Sequence, residues 1–282
     1  MLRYFGKYKL MYWSPVILLA CAFSFAIFLM FYGFELRLPL GEGVSAVLFC
    51  LFLVLWANLC NGLANRELDR RLAMLNDRCT PEAFLKANQY SYRKALKTKR
   101  FCKPRHRVAA VIMNLHIVAM MSAGRHEETM QAIELLKART QGIDAYNDFY
   151  AVCLQSLAAT AVQRNAEGDI DLAKEHLAQA KEFARGHNVS DSTAGAIIRT
   201  EYRIEAAEGK NLQVCLDYFK KLSQSSPYTR AEAVDHYVLA SIYRQLGDTE
   251  NERAQLEIVT QKAPGLYVGK LAACRLAELS AQ

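Results

Sequence analysis

Six histidines and eight cysteines are the residues of this 282-residue chain best suited to chemistry, and their spacing rules out most of it. His126-Glu127-Glu128-Thr129-Met130 begins like the zinc motif HExxH, in which two histidines one turn apart share a helix face. Its fifth position is Met, so the second ligand is missing, and what remains is an acidic helix start of the kind the helix dipole favours. His106, His116 and His126 recur every ten residues. Ten steps of about 100° do not return to one helix face, so these three form no ligand row. The cysteines are scattered and contain no CxxC pair. Cys21, Cys50 and Cys60 lie in apolar runs, and Cys79, Cys102, Cys153, Cys215 and Cys274 read as small hydrophobes kept reduced in a cytosolic domain. GxGxxG, GxxxxGK[ST] and GxSxG are all absent from the sequence. The residues point away from an enzyme, and they imply no metal and no cofactor.

Binding chemistry is better represented. Lys86, Arg93, Lys94, Lys97, Lys99, Arg100, Lys103, Arg105 and Arg107 follow one another with no Asp or Glu between Glu82 and Glu127. Such a run is ordinarily a solvated face; beside a bilayer it becomes a contact for anionic lipid, worth about 1 kcal/mol per cation. Lys86, Arg93, Lys94, Lys97 and Arg100 are the candidate headgroup contacts. Tyr90, Tyr92 and Phe101 interleave with them as a nucleic-acid stacking platform would. Membrane tethering and an acidic distal region argue against that alternative.

The bilayer enters through two runs without a charged residue, Pro15–Phe34 and Gly43–Asn65. About 20 residues at about 1.5 Å each match a hydrocarbon core of roughly 30 Å. A cleaved signal peptide fits poorly, because the first run is too long and has no small-residue cleavage site before a polar stretch. The net charge of +7 is uneven. Residues 63–107 carry thirteen Lys or Arg against four Asp or Glu, whereas 108–282 is acidic on balance. Both flanks of the spans are basic and the connector at 34–42 is not, so both termini and the soluble part belong in the cytoplasm. The expectation is a bacterial-type membrane anchor over 1–65, with spans at about 15–34 and 43–65. A juxtamembrane basic segment covers 66–106 and a helical domain covers 107–282.

The elements that follow are helical. Thr80-Pro81-Glu82 is a helix start with Thr as N-cap and Pro at the first position, and that helix should bury Phe84, Leu85, Tyr92 and Leu96. Beyond residue 107 one pattern recurs four times: a helix, a glycine turn at Gly124, Gly168, Gly209 or Gly247, and a second helix with an acidic or polar start. Glycine suits the left-handed residue after a helix end. No stretch alternates with period two, so no sheet is expected. Repeated helix pairs that stack side by side make an α-solenoid.

His236–Asp248 resembles a tetratricopeptide repeat, since Leu239, Ala240, Tyr243 and Gly247 match its L-[GA]-x-x-Y-x-x-x-G spacing and Pro264 falls at its terminal proline. The unit around Gly168 matches in part, through Ala161, Ala173, Leu177 and Ala180. Thr129, Val214 and Glu252 replace the small alanine of the second helix in the other units. The resemblance spans roughly 107–264 and implies an all-α fold of about four helix pairs, with a capping helix over Leu266–Leu279. It further implies a partner groove on the first helices, at Asn114, Val118 and Met121, Gln155 and Asn165, Arg199 and Arg203, and Tyr237, Ser241 and Arg244. Arg199 and Arg203, one turn apart, with Arg244, suit a carboxylate or an acidic side chain. The expected function is a membrane-anchored scaffold that binds a protein or peptide segment. The alternatives are a peptide sensor and a non-catalytic subunit of a membrane enzyme.

Overall fold

Apolar residues recurring at helical period, punctuated by glycine, dictate helices joined by tight turns, and a computed structural model of the chain has that organisation. It describes residues 62, 65–98, 101, 106–164 and 166–281. The spans at 15–34 and 43–65 lie outside the described residues, 62 and 65 excepted, so the membrane hairpin is a reading of the sequence alone. Among the described residues no helix is long and apolar enough to cross a membrane.

All regular elements among the described residues are helical, and no strand occurs among them. A helix over 65–76 (α1) is followed by α2 (Pro81–Leu96), α3 (Arg107–Ser122), α4 (His126–Thr140), α5 (Asn147–Arg164) and α6 (Asp169–Gly186). Then come α7 (Asp191–Ala207), α8 (Leu212–Ser225), α9 (Thr229–Leu246), α10 (Thr249–Lys262) and α11 (Tyr267–Ser280). Residues Arg71–Gln282 make one compact unit. From α2 on, each helix packs on the next. In addition α3 packs on α5, α5 on α7, α7 on α9 and α9 on α11, so the first helices of four successive pairs stand in a row that α11 ends. This is a solenoid-like stack, in which each pair buries its apolar face on its neighbours.

Gly124, Gly168, Gly209 and Gly247 all take φ between +73° and +78°, the backbone their turns require. Capping is less uniform. Asp248 accepts from the Asn251 amide at 3.1 Å. Thr80 instead turns its hydroxyl away from α2 and donates to the Met74 carbonyl at 2.9 Å, which fastens the break between α1 and α2. Phe84 and Leu85 are buried on α2 as expected, while Tyr92 and Leu96 are half-buried.

The positions where alanine was replaced are resolved by packing. Thr129 is fully buried and donates its hydroxyl to the Arg125 carbonyl at 2.7 Å. Glu252 is buried and ion-paired to Arg275 of α11 at 2.7 Å, so its charge serves to hold the last helix. Val214 is exposed, and Cys215 takes the buried place. The turn before α8 is one residue longer, with Asn211 in a left-handed conformation, and this shifts the register by one.

The stack brings its beginning and end together. Cys79, in the α1–α2 break, packs in one core with Ala233, Leu256, Val259, Leu266 and Val268. Arg230 of α9 donates to Asn76 at 3.0 Å. A Cβ at Gly265 would lie 2.5 Å from the Cys79 carbonyl oxygen, and one at Gly124 would lie 2.3 Å from the Tyr267 ring. Both glycines therefore allow a close approach that any side chain would prevent.

Candidate functional site

The row of first helices turns its inner faces toward α11, and two cavities lie between them. The smaller, about 170 Å3, is walled by Val118, Met121, Gln155, Ala159, Arg199, Arg203, Arg230, Val234, Leu266 and Val268, among others. The larger, about 490 Å3, takes in Arg164, Arg203, Tyr237, Val238, Ser241, Arg244, Tyr267 and Leu271. Gln163, Arg203 and Val268 belong to both walls, so the two cavities adjoin at Arg203.

The groove positions expected from the repeat pattern are mostly gathered here. Met121, Gln155, Arg199 and Arg203 line the smaller cavity; Arg203, Tyr237 and Arg244 line the larger. Asn114 sits on α3 outside both walls, and Asn165 lies outside the described residues. Arg230, Gln163, Leu266, Tyr267 and Val268 were not anticipated. Arg230 occupies the first turn of the 18-residue helix α9, farther from Gly247 than the repeat counting reached. The α11 residues join the wall only because the stack closes, and no local signal marks that.

The electrostatics are one-sided. Among the described residues the two walls carry Arg164, Arg199, Arg203, Arg230 and Arg244 but no Asp, Glu or Lys. Arg164 is neutralised by Asp169 at 3.0 Å and Glu127 at 2.9 Å. Arg199 is paired to Asp235, which is wholly buried behind the wall and also accepts from Ser226 at 2.9 Å. Burial pushes the Asp235 carboxyl above the usual range, against the pull of Arg199. Arg203 has no hydrogen bond or ion pair among the described residues, and its Nε is buried without a partner, as is the Nε of Arg199. Burial brings the Arg203 guanidinium down to about 10, and the neighbouring charge of Arg199 adds to the fall. Arg230 is lowered by burial too, with the amide oxygen of Asn76 as acceptor rather than a carboxylate. Arg244 is exposed at the rim. Arg199, Arg203 and Arg230 are all half-buried, and Asp235 partly offsets the charge at Arg203, so these guanidiniums stay open to an incoming oxyanion, which would give them the acceptors they lack.

On α2, Lys86, Tyr90, Arg93 and Lys97 fall at spacings of four, three and four and are all exposed, so they form one stripe. Lys94 is half-buried, its ammonium 5.7 Å from the Tyr90 ring centre. Arg100 lies outside the described residues. Elsewhere, among the described residues, no group of His, Cys, Asp and Glu could hold a metal ion. His126 packs edge-on to Tyr267 at 5.0 Å, which gives the HExx start a part in joining α4 to α11.

Comparison with known proteins gives no match: no family model, no curated protein and no solved structure matches the chain.

Proposed function

We propose that the chain is a non-catalytic, tetratricopeptide-like adaptor held in a bacterial cell membrane by the 1–65 hairpin. Its termini and solenoid face the cytoplasm, and its inner face binds an acidic segment of a partner protein. The observation that supports this most is the convergence of five arginines on the inner walls, of which Arg164 and Arg199 are ion-paired from behind while Arg203, Arg230 and Arg244 have no carboxylate bonded to them among the described residues. Charge-assisted bonds from guanidinium forks select oxyanions, and they require neither cofactor nor general base. The basic stripe of α2 supports contact with anionic headgroups.

Closure of the stack by α11 favours the sensor as a second reading, because a ligand between α7, α9 and α11 would touch the elements whose meeting closes it. Fluorescence anisotropy of the full chain in maltoside micelles, with Glu-rich and Lys-rich peptides, tests the binding. Glu-rich peptides should bind, and Arg203→Ala with Arg244→Ala should weaken them at least tenfold. No preference for the acidic set would overturn the proposal.

A further inference from the structure

We infer that the group taken by the smaller chamber is a phosphomonoester dianion, held by Arg199, Arg203 and Arg230. This rests on the inner-face reading above and narrows it.

Charge balance comes first. Three guanidiniums border a space of about 170 Å3, and the one carboxylate behind the wall, Asp235, is ion-paired to Arg199 and also lies within electrostatic reach of Arg203. Two positive charges are left. A carboxylate would match one of them, whereas a phosphomonoester brings about −1.5 to −2 at neutral pH and matches both at half-buried side chains. Donor count agrees. The Nε groups of Arg199 and Arg203 are buried without acceptors, and Arg203 makes no bond at all among the described residues. A phosphoryl group offers three acceptor oxygens to such forks, a carboxylate two. The side-chain types agree as well, since planar, permanently charged arginine suits a phosphoryl oxygen pair and lysine is absent from the walls. The rest of the small chamber is largely apolar, including Val118, Met121 and Val234, so little on the protein competes for the guanidiniums. The larger chamber, with Tyr237 and the exposed Arg244 at its rim, receives whatever carries the phosphoryl group. That carrier is a phosphorylated side chain of the partner or a small soluble ester; the recognition chemistry is the same.

The test is thermal melting of the full chain in maltoside micelles at pH 7.5, with phenyl phosphate against methyl phenyl phosphate, which has one charge. Phenyl phosphate should raise the melting temperature saturably, and the diester should need at least tenfold more. At pH 5, below the second pKa of about 6, the monoester's advantage should shrink. Arg203→Met should melt higher than the parent without ligand, because an unpaired guanidinium is gone, and should lose the response. Arg203→Lys keeps the charge without the fork and should weaken the response at least tenfold. Equal response to both esters, or a response unchanged in Arg203→Met, overturns the inference. If neither ester protects while a Glu-rich peptide still binds, the dianion fails and the inner-face reading stands. If that peptide does not bind either, both fail. A phosphoserine peptide tenfold tighter than phenyl phosphate identifies a partner segment as the source; equal affinity identifies a small ester.

Discussion

The ring of His116 lies stacked on Tyr92 with centres 3.8 Å apart and is 8% exposed, which leaves little room for a hydrated charge. Burial, aided by Arg125, lowers its pKa from 6.5 to about 4, and His126 and His176 are lowered in the same direction, also by burial. Between those values the unfolded chain binds a proton that the folded chain refuses. Stability is therefore fully present above about pH 6.5 and declines as pH falls toward 4, by about 3 kcal/mol at most for this one group. His116→Phe, which keeps an aromatic ring against Tyr92, should flatten the fall in melting temperature across that interval while leaving pH 7.5 little changed. An unaltered slope would mean that His126 and His176 carry it. None of this was visible in the spacing of histidines, which only excludes a ligand row. Arg199, Arg203 and Arg244 were legible because they recur at set distances before a glycine, and Arg230 was not, because it enters from the far end of a long helix.

At the scale of elements, the glycine turns were readable because a left-handed residue after a helix has few chemical solutions, and all four take that backbone. Register was not readable at the third turn, where one added residue replaces Val214 by Cys215 in the core. Nor was the seam, since a contact between the α3–α4 turn and α11 joins residues far apart in sequence. Gly124 carries two demands at once, a φ of +77° and the ring of Tyr267 against its α-carbon. Gly124→Ala should therefore cost about 2–4 kcal/mol, roughly 1 from the backbone and the rest from overpacking. In a Tyr267→Ala background the same change should cost only the backbone share. A double-mutant cycle on melting free energies measures the difference as a coupling of about 1–3 kcal/mol. Strict additivity would mean that the ring moves aside freely and the seam holds nothing in place.

For the whole molecule the consequential feature is the separation of charge, basic beside the apolar N-terminal runs and acidic on balance beyond residue 108. Composition made that legible, and the helix adds what composition cannot: Lys86, Tyr90, Arg93 and Lys97 share one exposed stripe, while Phe84, Leu85 and Ala95 are spent on the core. A stripe of that kind gains about 1 kcal/mol per cation beside an anionic leaflet, and the gain falls away beyond a Debye length of about 8 Å at physiological salt. Lysine acetylation of the full chain in nanodiscs, read by mass spectrometry, makes the contact measurable. Lys86 and Lys97 should be modified several-fold more slowly in nanodiscs containing anionic lipid than in zwitterionic ones. Exposed Lys270 on α11 should react at the same rate in both, and 0.5 M salt should remove the difference. Protection of Lys270 together with the α2 lysines would mean that the lipid slows the reagent everywhere. Protection of neither would place the stripe away from the bilayer.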